Sequence, residues 1–129
     1  MALDRAFDAD TLFSLRKAVL AEATAAGIPG YRATDVMLAL HELAANAVRH
    51  GAGAGRLAMH VLDGRLYCQV SDAGSAGDTR SGTAAARPWR VESGHGLWIL
   101  RAVADQVSVN SGPTGFTVTA VFTLPGSPP

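Results

Sequence analysis

Three polar residues share one ridge of a predicted helix and are the first candidates for chemistry. Glu42, Asn46 and His50 are spaced by four residues. Each therefore lies one turn beyond the last, displaced by about 40° around a helix of 3.6 residues per turn. Their carboxylate, amide and imidazole groups can all form directed polar contacts. The intervening positions are mostly Leu and Ala, which leaves little room for a broad polar face, so we favour a functional site over a solvated helix edge.

Two short glycine-containing segments are further candidates for binding. Asp72 ends a predicted strand and Gly74 follows it by two residues. A carboxylate there accepts two donors in a fixed direction, which suits an exocyclic amine, and the glycine lets a ligand approach the backbone. The segment Gly94–Leu97 precedes a predicted helix, where free N–H groups form a natural anion site. Taken singly, an ordinary turn and an ordinary helix start remain alternatives for these two segments.

Three common catalytic motifs are excluded. A Walker A loop needs Gly-Lys followed by Ser or Thr, and Lys17, the one lysine, lies inside a predicted helix. A zinc-protease helix starting at His41-Glu42 would need histidine at position 45, which is Ala45. No serine stands in a Gly-x-Ser-x-Gly elbow.

The hydrophobic periodicity predicts the elements that must position these residues. Asp63-Gly64 separates two alternating runs and predicts a two-residue hairpin turn, with Cys68 facing inward. Residues 73–93 are small, polar and glycine-rich, which is typical of a lid or binding segment. In chain order we expect a helix over 10–27, a helix over about 33–50, a hairpin over 57–70, a short helix over 97–104 and strands over 107–111 and 116–124.

This order predicts an α+β fold with two layers. A mixed, mainly antiparallel sheet would be covered by helices on one face, in a single domain over 1–124 with a flexible tail over 125–129. The length of 129 residues with 48% hydrophobic residues suits one such core.

Composition excludes several classes of protein. Eleven basic residues balance eleven acidic ones, which argues against direct nucleic-acid binding through a broad positive field. The single cysteine excludes an internal disulfide, and no apolar run reaches the length of about 18 residues that a membrane span needs. We expect a cytoplasmic protein that does not enter a membrane.

Together, in this order, the three segments resemble the GHKL, or Bergerat-fold, ATPases. Within that family the chain is most similar to the small anti-sigma factor serine kinases of bacterial stress and sporulation switches. Residues 42–50 match the N box, Asp72-Ala73-Gly74 the first glycine box and Gly94–Leu97 the second. One departure is that the family's first box usually continues to a second glycine, whereas this chain has Ala76 there and Gly77 one place later.

The resemblance implies ATP and Mg²⁺ as cofactors and gives roles to the N-box residues. Glu42 would be the general base that deprotonates a substrate hydroxyl or orients water. Asn46 would bind Mg²⁺, an oxygen-ligand role that an amide can fill. Arg49 and His50 would lie near the phosphates, and a purely structural role for either is the alternative.

The glycine boxes would hold the nucleotide itself. Asp72, with Gly74 beside it, would bind the adenine amino group, and Thr117 would match the threonine of the last strand that helps to hold adenine. The phosphates would be wrapped by the second box, which consists of Gly94, His95, Gly96 and Leu97.

The resemblance also implies a function and partners. The chain would be an ATP-binding anti-sigma regulatory factor that phosphorylates serine or threonine in an anti-anti-sigma antagonist of the STAS type and binds a sigma factor. Family members often form dimers, so a homodimer is an open alternative. Two other functions remain: a non-catalytic binding module of the same fold, or the catalytic ATPase domain of a histidine kinase, which shares these boxes.

Overall fold

A computed structural model describes residues 2–72, 95–112 and 115–126. These residues form five strands and three helices, which confirms the α+β class. The elements are β1 (Ala2–Asp8), α1 (Leu12–Ala26), α2 (Gly30–His50), β2 (Ala54–Leu62), β3 (Arg65–Asp72), α3 (His95–Val103), β4 (Gln106–Gly112) and β5 (Gly115–Thr123).

The strands form one sheet in the order β1-β2-β3-β5-β4. Every neighbouring pair among the described strands is antiparallel, so the expected mixture of strand directions is not found there. Alternate residues of β3 show which face is covered: Leu66, Cys68 and Val70 are fully buried, whereas Arg65 and Gln69 are exposed. The helices therefore cover one face of the sheet, as predicted.

The central helix of the layer is α2, which packs on β2 and β3 between the other two helices. Its covered side consists of small and branched apolar residues with almost no exposed surface, namely Ala33, Val36, Ala39, Leu40, Leu43, Ala44 and Ala47. The alanines let this helix approach its neighbours closely, and the larger side chains fill the space above the sheet.

The ends of the helices fix their directions. Gly27 closes α1 in the left-handed conformation, with φ of 108°, and α2 begins at Gly30 directly after Pro29, three residues earlier than predicted. At the other flank, an Arg32 guanidinium nitrogen donates a hydrogen bond to the Val103 carbonyl over 2.9 Å. The start of α2 therefore lies beside the end of α3, and these two helices run antiparallel.

The predicted hairpin is confirmed at its turn. Asp63 and Gly64 both have positive φ, 53° and 76°. This is the backbone of the tight turn that matches the right-handed twist of paired strands. Cys68 lies in the buried face of the hairpin, and burial raises the pKa of its thiol to about 12.

One strand was not predicted. β1 pairs along its whole length with β2 and inserts Phe7, which is 3% exposed, into the core. Its register places Phe7 opposite Gly55. A Cβ atom at Gly55 would clash with the Ser71 carbonyl oxygen and lie 2.5 Å from Cζ of Phe7. The absence of a side chain at Gly55 thus lets β1 and β3 flank β2 tightly. Within the described ranges, none of the helices is long and apolar enough to cross a membrane.

We expect Gly55→Ala to destabilise the fold because the new methyl group meets a backbone oxygen that cannot move independently. The loss should be about 1–3 kcal/mol in the free energy of unfolding, the usual size for overpacking. Gly30→Ala is the matched control, since nothing lies within 4 Å of the Cβ position there. Urea unfolding of both variants checks this, and equal stabilities would show that the strands adjust without strain.

Candidate functional site

The polar ridge of the sequence lies in the C-terminal half of α2. Glu42 is partly exposed, whereas Asn46, one turn later, is only 4% exposed. His50 is the last residue of the helix, and its side chain lies outside the described part of the structure. The ridge therefore runs from a carboxylate that solvent can reach to an amide enclosed by protein.

The buried amide of Asn46 is bonded on one side only. Its oxygen Oδ1 accepts a hydrogen bond of 3.0 Å from a guanidinium nitrogen of Arg49, three residues later. Its nitrogen Nδ2 has no hydrogen-bond partner among the described residues. A buried unpaired donor is costly, so a polar group that Asn46 can bind would stabilise this arrangement.

His41 lies immediately before Glu42 and is kept neutral by its surroundings. Burial is the main cause that lowers its pKa below the ordinary 6.5, and the positive charges of Arg16 and Arg49 act in the same direction. The carboxylate of Glu42 opposes them. Nδ1 of His41 is buried and has no partner among the described residues.

The Asp72 carboxylate connects the end of β3 with the end of α2. Asp72 is 7% exposed, and its Oδ2 accepts a hydrogen bond of 3.2 Å from the backbone N–H of Ala52. Between them in space lies Gly51, where a Cβ atom would clash with Oδ2 of Asp72 and lie 2.8 Å from the Ala47 carbonyl oxygen. Glycine at position 51 thus permits Asp72 to reach the end of the helix that carries Asn46.

The second glycine box begins α3. Because α2 and α3 are antiparallel, His95 at the start of α3 lies at the same end of the helix layer as the C-terminus of α2. Leu97 is 8% exposed and contributes its side chain to the core. Gly74, Gly94 and the predicted lid over 73–93 lie outside the described residues, as does the side chain of His95, whereas the backbone of Gly96 belongs to the first turn of α3.

Thr117 is not brought to the face that carries Asp72. It pairs with Ser71 in the sheet register, and directly paired residues share a face. Successive residues point to opposite faces, so Thr117 lies on the open face and Asp72 on the helix-covered face.

An open cleft of about 500 Å³ lies at the end of the sheet next to Asp72. Its lining includes Phe7, Asp8 and Thr11 from the end of β1 and the start of α1, together with Arg56 from β2. No sequence motif marks these four residues, and three of them lie in or just after β1, a strand that the periodicity does not predict. The alternation of Leu3, Arg5 and Phe7 is the signal that could have indicated this strand, although the charge of Arg5 interrupts it.

A family model for the histidine kinase-like ATPase domain matches residues 6–122. The chain belongs to this family. The match spans all the elements from the end of β1 to the end of β5, so the domain is an ATP-binding domain of the GHKL type. No curated protein matches the chain.

The residues present fit a nucleotide. Asp72 offers a buried carboxylate beside a cleft, and Asn46 offers a buried amide with an unpaired N–H group, again counting only described partners. No group of three or more His, Cys, Asp or Glu residues in the described ranges could hold a metal ion. In nucleotide sites a Mg²⁺ ion commonly takes most of its ligands from phosphate and water.

We expect acid to destabilise the wild type more than His41→Gln. The folded state resists protonation of His41, so this contribution to stability is present above pH 6.5 and is lost as the pH falls below it. Unfolding free energies measured between pH 7.5 and about 5 test this. His60→Gln, at an exposed position, is the matched control for the loss of a histidine, and its slope is measured alongside. A His41→Gln slope equal to wild type would refute the role of burial.

We expect Asp72→Asn to weaken ATP binding by about 1.5–3 kcal/mol, the scale of a hydrogen bond to a charged group. The asparagine keeps an acceptor for the N–H of Ala52, so the fold should persist. Asp35→Asn, at a partly exposed position of α2, removes the same charge and should leave affinity unchanged. Calorimetric titration with ATP measures both variants, and an unaltered affinity in Asp72→Asn would exclude Asp72 from adenine recognition.

Proposed function

We propose that this domain is an ATP-binding anti-sigma regulatory factor that phosphorylates serine or threonine in an anti-anti-sigma antagonist. The observation that carries the proposal is the position of Glu42, a partly exposed carboxylate one helical turn before the buried amide of Asn46. A general base must reach both solvent and the acceptor hydroxyl, whereas a group that holds the nucleotide benefits from enclosure.

The proposed roles follow the ridge and the sheet end. Asp72 binds the exocyclic amine of adenine, Asn46 contributes an oxygen to Mg²⁺, and Glu42 accepts the proton of the acceptor hydroxyl. Bound ATP supplies the phosphoryl group. The backbone N–H groups at the start of α3 bind the phosphates, because the N-terminus of a helix carries partial positive charge.

The charges around Glu42 support its role as a base. His41 directly precedes Glu42, and a protonated imidazole there could offset the negative charge of the carboxylate. The lowered pKa of His41 keeps its imidazole neutral at pH 7. Arg49 is bonded to Asn46 and not, in any described contact, to Glu42. Glu42 is thus left available as an acceptor.

The proposed partners are proteins. A sigma factor would be the regulated target and a STAS-type anti-anti-sigma protein the phosphate acceptor, with a homodimer as a further proposed assembly. The formal net charge of zero argues against direct binding of nucleic acid. The cytoplasm, where sigma factors act, is the proposed location.

Two alternatives each rest on one observation. Ala76 in place of a glycine in the first glycine box favours a non-catalytic binding module. The description of the matching family favours the catalytic domain of a histidine kinase. Phosphoserine or phosphothreonine survives acid, whereas phosphohistidine does not, so acid treatment of the labelled acceptor separates these kinases, and intact partner binding without transfer indicates the module.

We expect Glu42→Ala to reduce phosphoryl transfer by about 10²–10⁴-fold, as for a lost general base, while ATP affinity is unchanged. Transfer from γ-labelled ATP to candidate antagonists is the measurement. Glu22→Ala on α1, also partly exposed, is the control and should transfer at the wild-type rate. Wild-type transfer by Glu42→Ala would leave Glu42 a structural residue.

A further inference from the structure

Arg49 is hydrogen-bonded to Oδ1 of Asn46, the atom that the proposed site assigns to a metal ion. Asn46 directs Oδ1 at the guanidinium over 3.0 Å, and the opposite orientation of the amide would place two N–H groups against each other. Asn46 is 4% exposed, so enclosure holds its amide in place, whereas Arg49 is exposed and free to change rotamer.

A cation bound to the same oxygen would lie close to the guanidinium. A Mg²⁺ ion sits about 2.1 Å from its oxygen ligands, so it could be no farther than about 5 Å from the donating nitrogen of Arg49. Two positive charges at that separation repel strongly when one side of the site is closed by protein. The metal ion and the bonded form of Arg49 are thus poorly compatible.

We propose that Arg49 and the divalent cation of a nucleoside triphosphate compete for Oδ1 of Asn46. Without metal, Arg49 holds the amide and supplies positive charge beside the phosphate site. When the cation binds, Arg49 leaves the oxygen and turns outward. Arg49 thereby reduces the dependence of nucleotide affinity on Mg²⁺. This inference rests on the proposed nucleotide site and adds a regulatory residue to it.

The test compares ATP affinity in excess chelator with affinity in millimolar Mg²⁺ by calorimetry. The quantity compared is the dissociation constant in chelator divided by the dissociation constant in Mg²⁺. Association of Mg²⁺ with ATP in solution is the same for every variant, so differences in this ratio between variants report on the protein. We expect Arg49→Ala to bind more weakly in chelator and to raise the ratio by about threefold to tenfold, the scale of a charge repulsion across about 5 Å with solvent on one side.

Two further variants show whether the charge of Arg49 causes the change in the ratio. Arg49→Gln removes the charge but keeps an N–H donor, and it should raise the ratio as Arg49→Ala does, because repulsion between cations is the reason. Arg101→Ala removes an exposed positive charge from α3 and should leave the ratio unchanged. Thermal unfolding confirms that each variant is folded.

The outcomes are distinct. The competition is overturned if the ratio of Arg49→Ala or of Arg49→Gln equals that of the wild type. It is also overturned if Arg101→Ala raises the ratio equally. None of these results affects the proposed kinase function. A raised ratio in a protein that transfers no phosphate would support the competition and remove only the kinase function. If the wild type binds no ATP under either condition, both proposals fall.

Discussion

The hydrogen bond from the backbone N–H of Ala52 to the Asp72 carboxylate joins the end of α2 to the end of β3. It brings the Asp72 side chain so close to the backbone at the end of α2 that only glycine fits at position 51. The same contact satisfies one oxygen of a carboxylate that is almost fully buried. The helix layer and the sheet thus meet at a polar contact, and Asp72 reaches there the end of the helix that carries Asn46.

The helix α2 contributes both to the core and to the candidate site, and the junction holds its C-terminal end. Its covered side is otherwise apolar, and Asn46 is the buried member of the ridge among the side chains that the structure describes. A single buried amide can be tolerated because one of its groups is bonded to Arg49. The gradient of exposure from Glu42 to Asn46 follows from the helix geometry, since the ridge turns by about 40° around the helix axis at each step and so reaches the covered side at Asn46.

Much of this arrangement could be predicted from the sequence, for physical reasons that differ between elements. The hairpin was predictable because Asp63-Gly64 tolerates positive φ at both positions. β1 was not, because an edge strand with charged residues carries a weak pattern and gains its stability from pairing with β2. The spacing of Glu42 and Asn46 indicated a shared ridge, but the bond from Arg49 depends on a rotamer, which spacing does not determine. Thr117 was assigned by motif alone, and the sheet register places it on the other face from Asp72.

The burial of Cys68 makes this side chain a probe for the opening of the domain, because it is unreactive while the fold is closed. At neutral pH a thiol with a pKa of about 12 is almost never in the nucleophilic thiolate form, and the side chain has no contact with solvent. The chain has no other cysteine. An alkylating reagent therefore reacts with Cys68 only when the middle of the sheet separates from the helices. The rate of alkylation thus measures how readily that separation occurs.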